Sequence, residues 1–387
     1  MLYTIVVFAA VLAIIVLFHE FGHFITAKMF GAKTEEFGFG FPPRICGWKK
    51  KNGKRKFFWG NKDVEKMESE DTVFSVNWIP LGGFVKIKGE DGENKKENDS
   101  FAAKKIWQRC IILSAGVIMN VVLAMVALSI AFMIGAPQVL DSTEGAKVKN
   151  QQIQITSVIE NSPAAEAGIK PGDAIKKIDQ QPITGIVQIQ EYVSAKQGSE
   201  LIVEVKRLNE QKTFAVTPEF LEQTKKPSLG VGLANTGVVS YPWYQAIWMG
   251  VRAAIVMLWQ IIVAFGTLIK NAIVGAGIGV EVAGPVGIAV MTGQVARMGL
   301  VYVLQFIALL SLNLALINFL PFPALDGGRV LFLLIEKIKG SPVSQKIEQT
   351  IHATGFLLLI LLMIIVTGRD LFQFKDFFIS LWHKIGF

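Results

Sequence analysis

Cysteine is nearly absent from this chain: Cys46 and Cys110 are the only two among 387 residues, and they show no ligand spacing. A disulfide framework and a thiolate metal centre are both excluded. Histidine is scarce too, with His19, His23, His352 and His383 as the full complement. Charged residues make up 18% of the chain and cluster in a few blocks, so long stretches carry none. No charge precedes His19, and the N-terminal run lacks both a basic leading segment and an A-x-A cleavage site. Its removal would delete His19 and Glu20, so it is expected to be a retained span and not a signal peptide.

What fills the space is apolar: 51% of residues are hydrophobic. Long runs occur at Leu2 to Phe18, Ile111 to Ile134, Leu300 to Leu320 and Phe356 to Val366, the last short unless its flanks join it. The expected fold class is a polytopic α-helical membrane protein with about four transmembrane helices. The net charge of +8 then reports cytoplasmic loops, with the lipid bilayer and not nucleic acid as partner.

Loop charge orients the spans. Residues 31–105 hold 16 Lys and Arg against 12 Asp and Glu, which makes this segment cytoplasmic. The first span, 1–30, therefore enters from outside and carries His19 and His23 in its cytoplasmic half. The second, 106–135, returns the chain, leaving 136–242 extracytoplasmic. The stretch Tyr244 to Ile273 is apolar enough to span but contains Arg252 and Lys270. Arg329, Lys337, Lys339 and Lys346 follow the third apolar run, whereas only Arg297 is basic between Asn271 and Gly299. Parity and charge together make 242–299 an extracytoplasmic amphipathic or re-entrant region. The remaining order is a third span over 300–328, a cytoplasmic loop over 329–352, and a fourth span with an amphipathic C-terminal segment over 353–387.

Within the first span stands His19-Glu20-Phe-Gly-His23. Histidines at i and i+4 leave one helix face a turn apart, as a shared metal requires, with Glu20 beside it as base. Ionisable groups inside a membrane are costly and point to function. A metal-free histidine pair is the plain alternative. The run Asn318-Phe-Leu-Pro-Phe-Pro-Ala-Leu-Asp326-Gly-Gly328 breaks the helix at membrane depth. Asp326 can supply a third ligand and leave a fourth position open for water, or it can simply cap a turn before the two glycines.

Between the second and third spans, residues 150–235 alternate β-branched runs with turn signals, as in Ile153 to Val158 and Leu201 to Val205. Ser162-Pro-Ala-Ala-Glu-Ala-Gly-Ile-Lys-Pro-Gly-Asp173 is similar to the helix and turn of bacterial PDZ domains. Such a domain can recognise an extended peptide, exclude bulky substrates or serve as a spacer. In the cytoplasmic loop, Phe57-Phe-Trp59 and Val73 to Trp78 are expected to pair as a hairpin, with Leu81 to Ile87 as a further strand. That sheet edge either pairs with unwound substrate or anchors at the interface through aromatics.

Taken in order, HExxH at His19 to His23, Ile79-Pro-Leu-Gly-Gly-Phe-Val-Lys86, Gly284-Pro-Val-Gly287 and the Asn318 to Gly328 run resemble the site-2 protease family of intramembrane zinc metalloproteases. The branch is that of the bacterial regulators of sigma-E protease, here with a single PDZ domain, and the resemblance covers nearly the whole chain. It implies Zn²⁺ held by His19, His23 and Asp326, Glu20 as catalytic base, and a location in the bacterial inner membrane. It also implies substrate contact by Asn318, Gly82, Gly83 and Asn120. The second-span pattern A-G-P-x-x-N reads Ala115-Gly116-Val117-Ile118-Met119-Asn120 here, which puts its local helix geometry in question. Implied substrates are single-pass transmembrane proteins, such as a pre-cleaved anti-sigma factor or signal-peptide remnants. Two rivals stand beside this reading: a catalytically silent PDZ scaffold, and a zinc carrier, which would need ionisable residues along several spans.

Overall fold

The computed structural model describes residues 2–51, 54–60, 71–140, 147–159, 161–183, 185–207, 210–222, 225–275 and 283–373. It divides into two compact units, residues 1–128 with 249–387 and residues 129–248.

In the first unit, α1 (Leu2–Met29) is one uninterrupted helix, because a helix satisfies every backbone group without water. It stops at Gly31, whose φ of 67° is left-handed, while the Ala32 N–H closes back on the Ala27 carbonyl at 2.8 Å. Three strands follow, β1 (Thr34–Lys51), β2 (Lys54–Trp59) and β3 (Val73–Ile87), in the order β2-β1-β3. The expected hairpin of Phe57–Trp59 with Val73–Trp78 is therefore corrected: β1 lies between them, with Cys46 facing both Trp59 and Val76. Leu81 to Ile87 continues β3 and is not a separate strand. Glu36 to Phe39 are each in register with two β3 residues, one from Val73 to Val76 and one from Gly83 to Lys86, so β3 doubles back over β1.

Helix α2 (Ile106–Ile134) is continuous through Val117, so the missing proline leaves ordinary helix. It approaches α1 closely: a Cβ on Gly22 would overlap the Ala115 carbonyl.

The second unit begins on the last turns of α2. Its sheet contains β4 (Ala136–Val139), β5 (Lys147–Val158), β6 (Ala174–Ile178), β7 (Gln181–Pro182), β8 (Leu201–Arg207), β9 (Glu210–Val216) and β12 (Val231–Ser240). Helices α3 (Pro163–Glu166) and α4 (Ile186–Ala195) and a β10 (Glu219–Leu221) and β11 (Lys226–Ser228) ladder complete it. The strand order is β4-β12-β5-β6-β8-β9, with β7 on β6. Alternating inward residues Ile153 and Ile155, Leu201, Val203 and Val205 build its core with Ile189 and Val193 of α4. Burial pushes the Asp173 carboxyl up, but hydrogen bonds from Arg207 and the Lys170 amide outweigh it and hold the group below the ordinary carboxylate range.

Back in the first unit come α5 (Trp243–Val274, which starts in the second), α6 (Pro285–Met298), α7 (Leu300–Phe319), α8 (Asp326–Lys339) and α9 (Gln345–Gln373). Five described helices, α1, α2, α5, α7 and α9, are long and apolar enough to cross a membrane, one more than the sequence suggested. The extra one is α5, a single helix of 32 residues with no break. Residues 329–352, expected as a loop, are mostly helical, and α9 extends the short Phe356–Val366 run to 29 residues. The expected amphipathic segment after Gln373 lies outside the described residues. The Gly284-Pro-Val-Gly287 run serves a plain structural purpose, because buried Asp370 of α9 accepts the amides of Gly284 and Gly287 at 3.2 and 2.7 Å. This fixes the start of α6, whose Gly293 packs on Thr4 of α1.

Candidate active site

His19 and His23, both 6% exposed, project from one face of α1 and meet Asp326, the first residue of α8. Asp326 Oδ2 lies 3.0 Å from His19 Nε2 and 3.5 Å from His23 Nε2, and the two Nε2 atoms are 3.2 Å apart. Four-coordinate zinc with bonds of about 2.0–2.2 Å spaces its ligands about 3.3–3.6 Å apart, so the triangle is close to the size the ion needs.

Proton placement gives the same answer. The Ile112 carbonyl, 2.8 Å from His23 Nδ1, can only accept, so Nδ1 carries the hydrogen and Nε2 presents a lone pair to the centre. Asp326 Oδ2 is buried there without a hydrogen bond. The His23 lone pair and the Asp326 carboxylate oxygen thus converge on one point, an arrangement that suits a cation. Among the described residues this is the one His, Cys, Asp or Glu cluster of metal-ligating geometry.

Asp326 is thus more than a turn residue. The chain leaves α7 at Leu320, passes through Pro321-Phe-Pro-Ala324 and restarts as a helix, presenting Asp326 to the histidines. Gly327 and Gly328 are buried, and a Cβ on either would overlap the carbonyls of Phe319, Leu320 or Phe322. Only glycine lets the loop close this tightly.

The other expected residues divide. Asn318, in the last turn of α7, has its amide nitrogen 3.4 Å from His19 Nε2 and is half-buried at the site's edge. Gly83 is 3.9 Å from the Glu20 Cγ when a Cβ is built on it, and Gly82, with φ of 101°, sits by Val16. Both lie on the β3 arm beside the face of α1 that carries Val16 and Glu20. Asn120 is fully buried, and its side chain meets His19 Nδ1 at 3.3 Å. If His19 offers Nε2 to a metal, Nδ1 carries the proton and needs an acceptor. Asn120 Oδ1, otherwise unpartnered, fills that need once the amide is turned over. Ser311 in turn donates to the Asn120 carbonyl at 2.8 Å.

Two contributors escaped the sequence reading. The Val85 amide donates to Glu20 Oε2 at 3.0 Å, so the β3 arm holds the Glu20 carboxylate. Gly116 of α2 lies against both imidazoles: a Cβ there would stand 2.8 Å from His19 Nε2 and closer still to His23 Nε2. Gly116→Ala should therefore leave a folded protein whose metal content, measured after purification, falls well below one equivalent.

A model of the peptidase family M50 matches residues 7–59 and 55–362. The chain belongs to peptidase family M50. The regulator of sigma-W protease RasP from Bacillus subtilis is 29% identical, over 95% of this M50 peptidase and 98% of its own length. A Clostridium perfringens protein named as a candidate zinc metalloprotease is 33% identical over 92% of this chain and 95% of its own. Among solved structures, the PDZ domain of an SdrC-like protein from Listeria innocua is 25% identical, covers 21% of this chain and 92% of its own, and gives a TM-score of 0.20. This M50 peptidase is a membrane zinc metalloprotease of the site-2 type, and zinc is its cofactor.

Proposed function

We propose that this peptidase hydrolyses peptide bonds within or near the transmembrane helices of single-pass membrane proteins, using His19, His23 and Asp326 to hold zinc and Glu20 as the general base. The observation that carries this reading is the place of the site: two of the three convergent ligands stand on α1, a helix long and apolar enough to span a bilayer, and the third follows the end of another such helix, α7. Bound zinc would polarise the scissile carbonyl and lower the pKa of attacking water. The Val85 N–H fixes Glu20 Oε2, which leaves Oε1 to take the water's proton and hand it to the leaving amine. A helical substrate hides its carbonyls in its own hydrogen bonds. The β3 arm from Gly82 to Ile87 offers backbone groups beside Glu20 with which an unwound segment can pair.

The topology that suits this chemistry has four crossings, α1, α2, α7 and α9. Gly293 of α6 packs on Thr4 and Gly284 on Asp370, so α6 lies level with the end of α1 remote from His19. Helix α2 runs from the level of Ile112 to its own far end, 22 residues or about 33 Å later. If α5 crossed alone, the stretch between Val274 and Gly284 would be too short to recross at about 1.5 Å per helical residue. Helix α5 is thus best read as lying along the outer interface of a bacterial inner membrane, with the β-rich unit on that side. That unit, read as a PDZ domain, has a groove of about 650 Å³ lined by Ile189, Val193, Leu229, Val231 and Leu233. Val231 to Leu233 pair with β5 and form one wall of that groove. This favours peptide recognition over a mere spacer. Pre-cleaved anti-sigma factors and signal-peptide remnants are the substrates that fit.

The test is cleavage of a model single-pass helix by the purified chain in proteoliposomes. A chelator should abolish cleavage, and one equivalent of zinc should restore it. Cleavage that survives complete zinc removal would reject the assignment, and zinc flux without hydrolysis would favour a carrier.

A further inference from the structure

His352 plays no part in the ligand set, and nothing in its local sequence marks it. The structure places it on α9 with its Nδ1 accepting the backbone N–H of Ala324 at 2.8 Å. Ala324 is two residues before Asp326 and has φ of 75°, a left-handed conformation that a residue with a Cβ resists. One turn along the same face of α9, Gly355 meets the preceding residue: a Cβ on Gly355 would lie 2.7 Å from the Pro323 carbonyl oxygen. The His352 ring also packs on Phe332 of α8, centroids 5.3 Å apart. One face of α9 thus grips both the loop that delivers Asp326 and the helix that Asp326 begins.

We propose that His352 is a positioning residue for the metal centre: its Nδ1, by holding Ala324 in the left-handed conformation, sets where Asp326 stands relative to His19 and His23. The proposal rests on the reading of those three residues as the zinc site. Ala324 N–H can only donate, so the working form of His352 is the neutral imidazole with its proton on Nε2. A left-handed alanine is strained and persists only where its surroundings impose it. Without the acceptor, Ala324 can relax, and a rotation two residues from a ligand shifts its carboxylate off the tetrahedral position. Partners that orient ligands typically change metal affinity by about ten- to a hundred-fold when removed.

Asparagine and glutamine separate this role from simple packing. In a histidine rotamer, Asn Oδ1 falls where Nδ1 stands, whereas Gln Oε1 falls near Nε2 and leaves Ala324 without its acceptor. Full-length wild type, His352→Asn and His352→Gln should be purified in detergent, and zinc affinity measured by competition with a chromophoric chelator. Thermal unfolding of the zinc-free proteins is followed alongside. His352→Asn is expected to bind zinc within about three-fold of wild type, and His352→Gln about ten-fold or more weakly, with similar zinc-free unfolding for the two polar variants. Equal zinc affinity in His352→Gln and wild type overturns the proposal, as does equal weakening in both variants. A wild type that takes up no zinc overturns the metal reading itself.

Discussion

Glu20→Gln should retain one equivalent of zinc and lose cleavage of a transmembrane substrate by about 10²- to 10⁴-fold, the range that a positioned general base contributes. Glutamine keeps the shape of the side chain and can still accept the Val85 amide at its carbonyl oxygen, so the β3 arm stays in place. What it cannot do is take a proton from water. Because neither imidazole depends on Glu20 for its hydrogen bond, the histidine geometry should survive. Metal content and single-turnover cleavage, measured on the same preparation, check both halves. Parallel loss of zinc and activity would mean that Glu20 holds the ion and is not the base.

Asp326→Ala should have the larger effect on the metal. It removes one of three protein ligands and leaves two imidazoles whose lone pairs converge with no anion to balance a dication. Affinity should fall by more than the roughly 10- to 100-fold attached to orienting partners, so zinc should be lost on dialysis. Activity should vanish with it. Asp326→Asn offers one neutral oxygen and should fall between alanine and wild type. Zinc retention by Asp326→Ala equal to that of wild type would remove Asp326 from the ligand set.

Much of this was legible because its signals are local. His19 and His23 announce themselves through an i, i+4 spacing in a charge-free run, and Asp326 through prolines and glycines that break a helix where lipid forbids it. β1 was missed for an equally physical reason. Its sequence, Thr34 to Lys51, contains three glycines and two prolines, which in isolation read as loop. In the fold, two of those glycines make room for aromatics: a Cβ on Gly38 would lie 2.7 Å from Phe84 Cζ, and one on Gly47 2.9 Å from Phe58 Cε2. No periodicity reports such a cross-strand need. The contact of the Asn120 side chain with His19 joins residues 101 positions apart, which no local pattern reports. His352 was invisible since its partner is a backbone amide 28 residues upstream, and backbone amides leave no trace in a sequence. Helix α5 remained ambiguous because length and apolarity admit both a crossing and an interfacial course.

The split of the metal triangle between α1 and α8 has a consequence for synthesis. Two ligands and the base emerge from the ribosome with the first 23 residues, but the third lies 303 positions later. Throughout most of its translation the nascent chain holds two histidines and a glutamate in the bilayer with no carboxylate to complete the set. If His19, His23 and Asp326 form the zinc site as proposed, a chain truncated before Asp326 should hold zinc weakly and cleave no transmembrane helix.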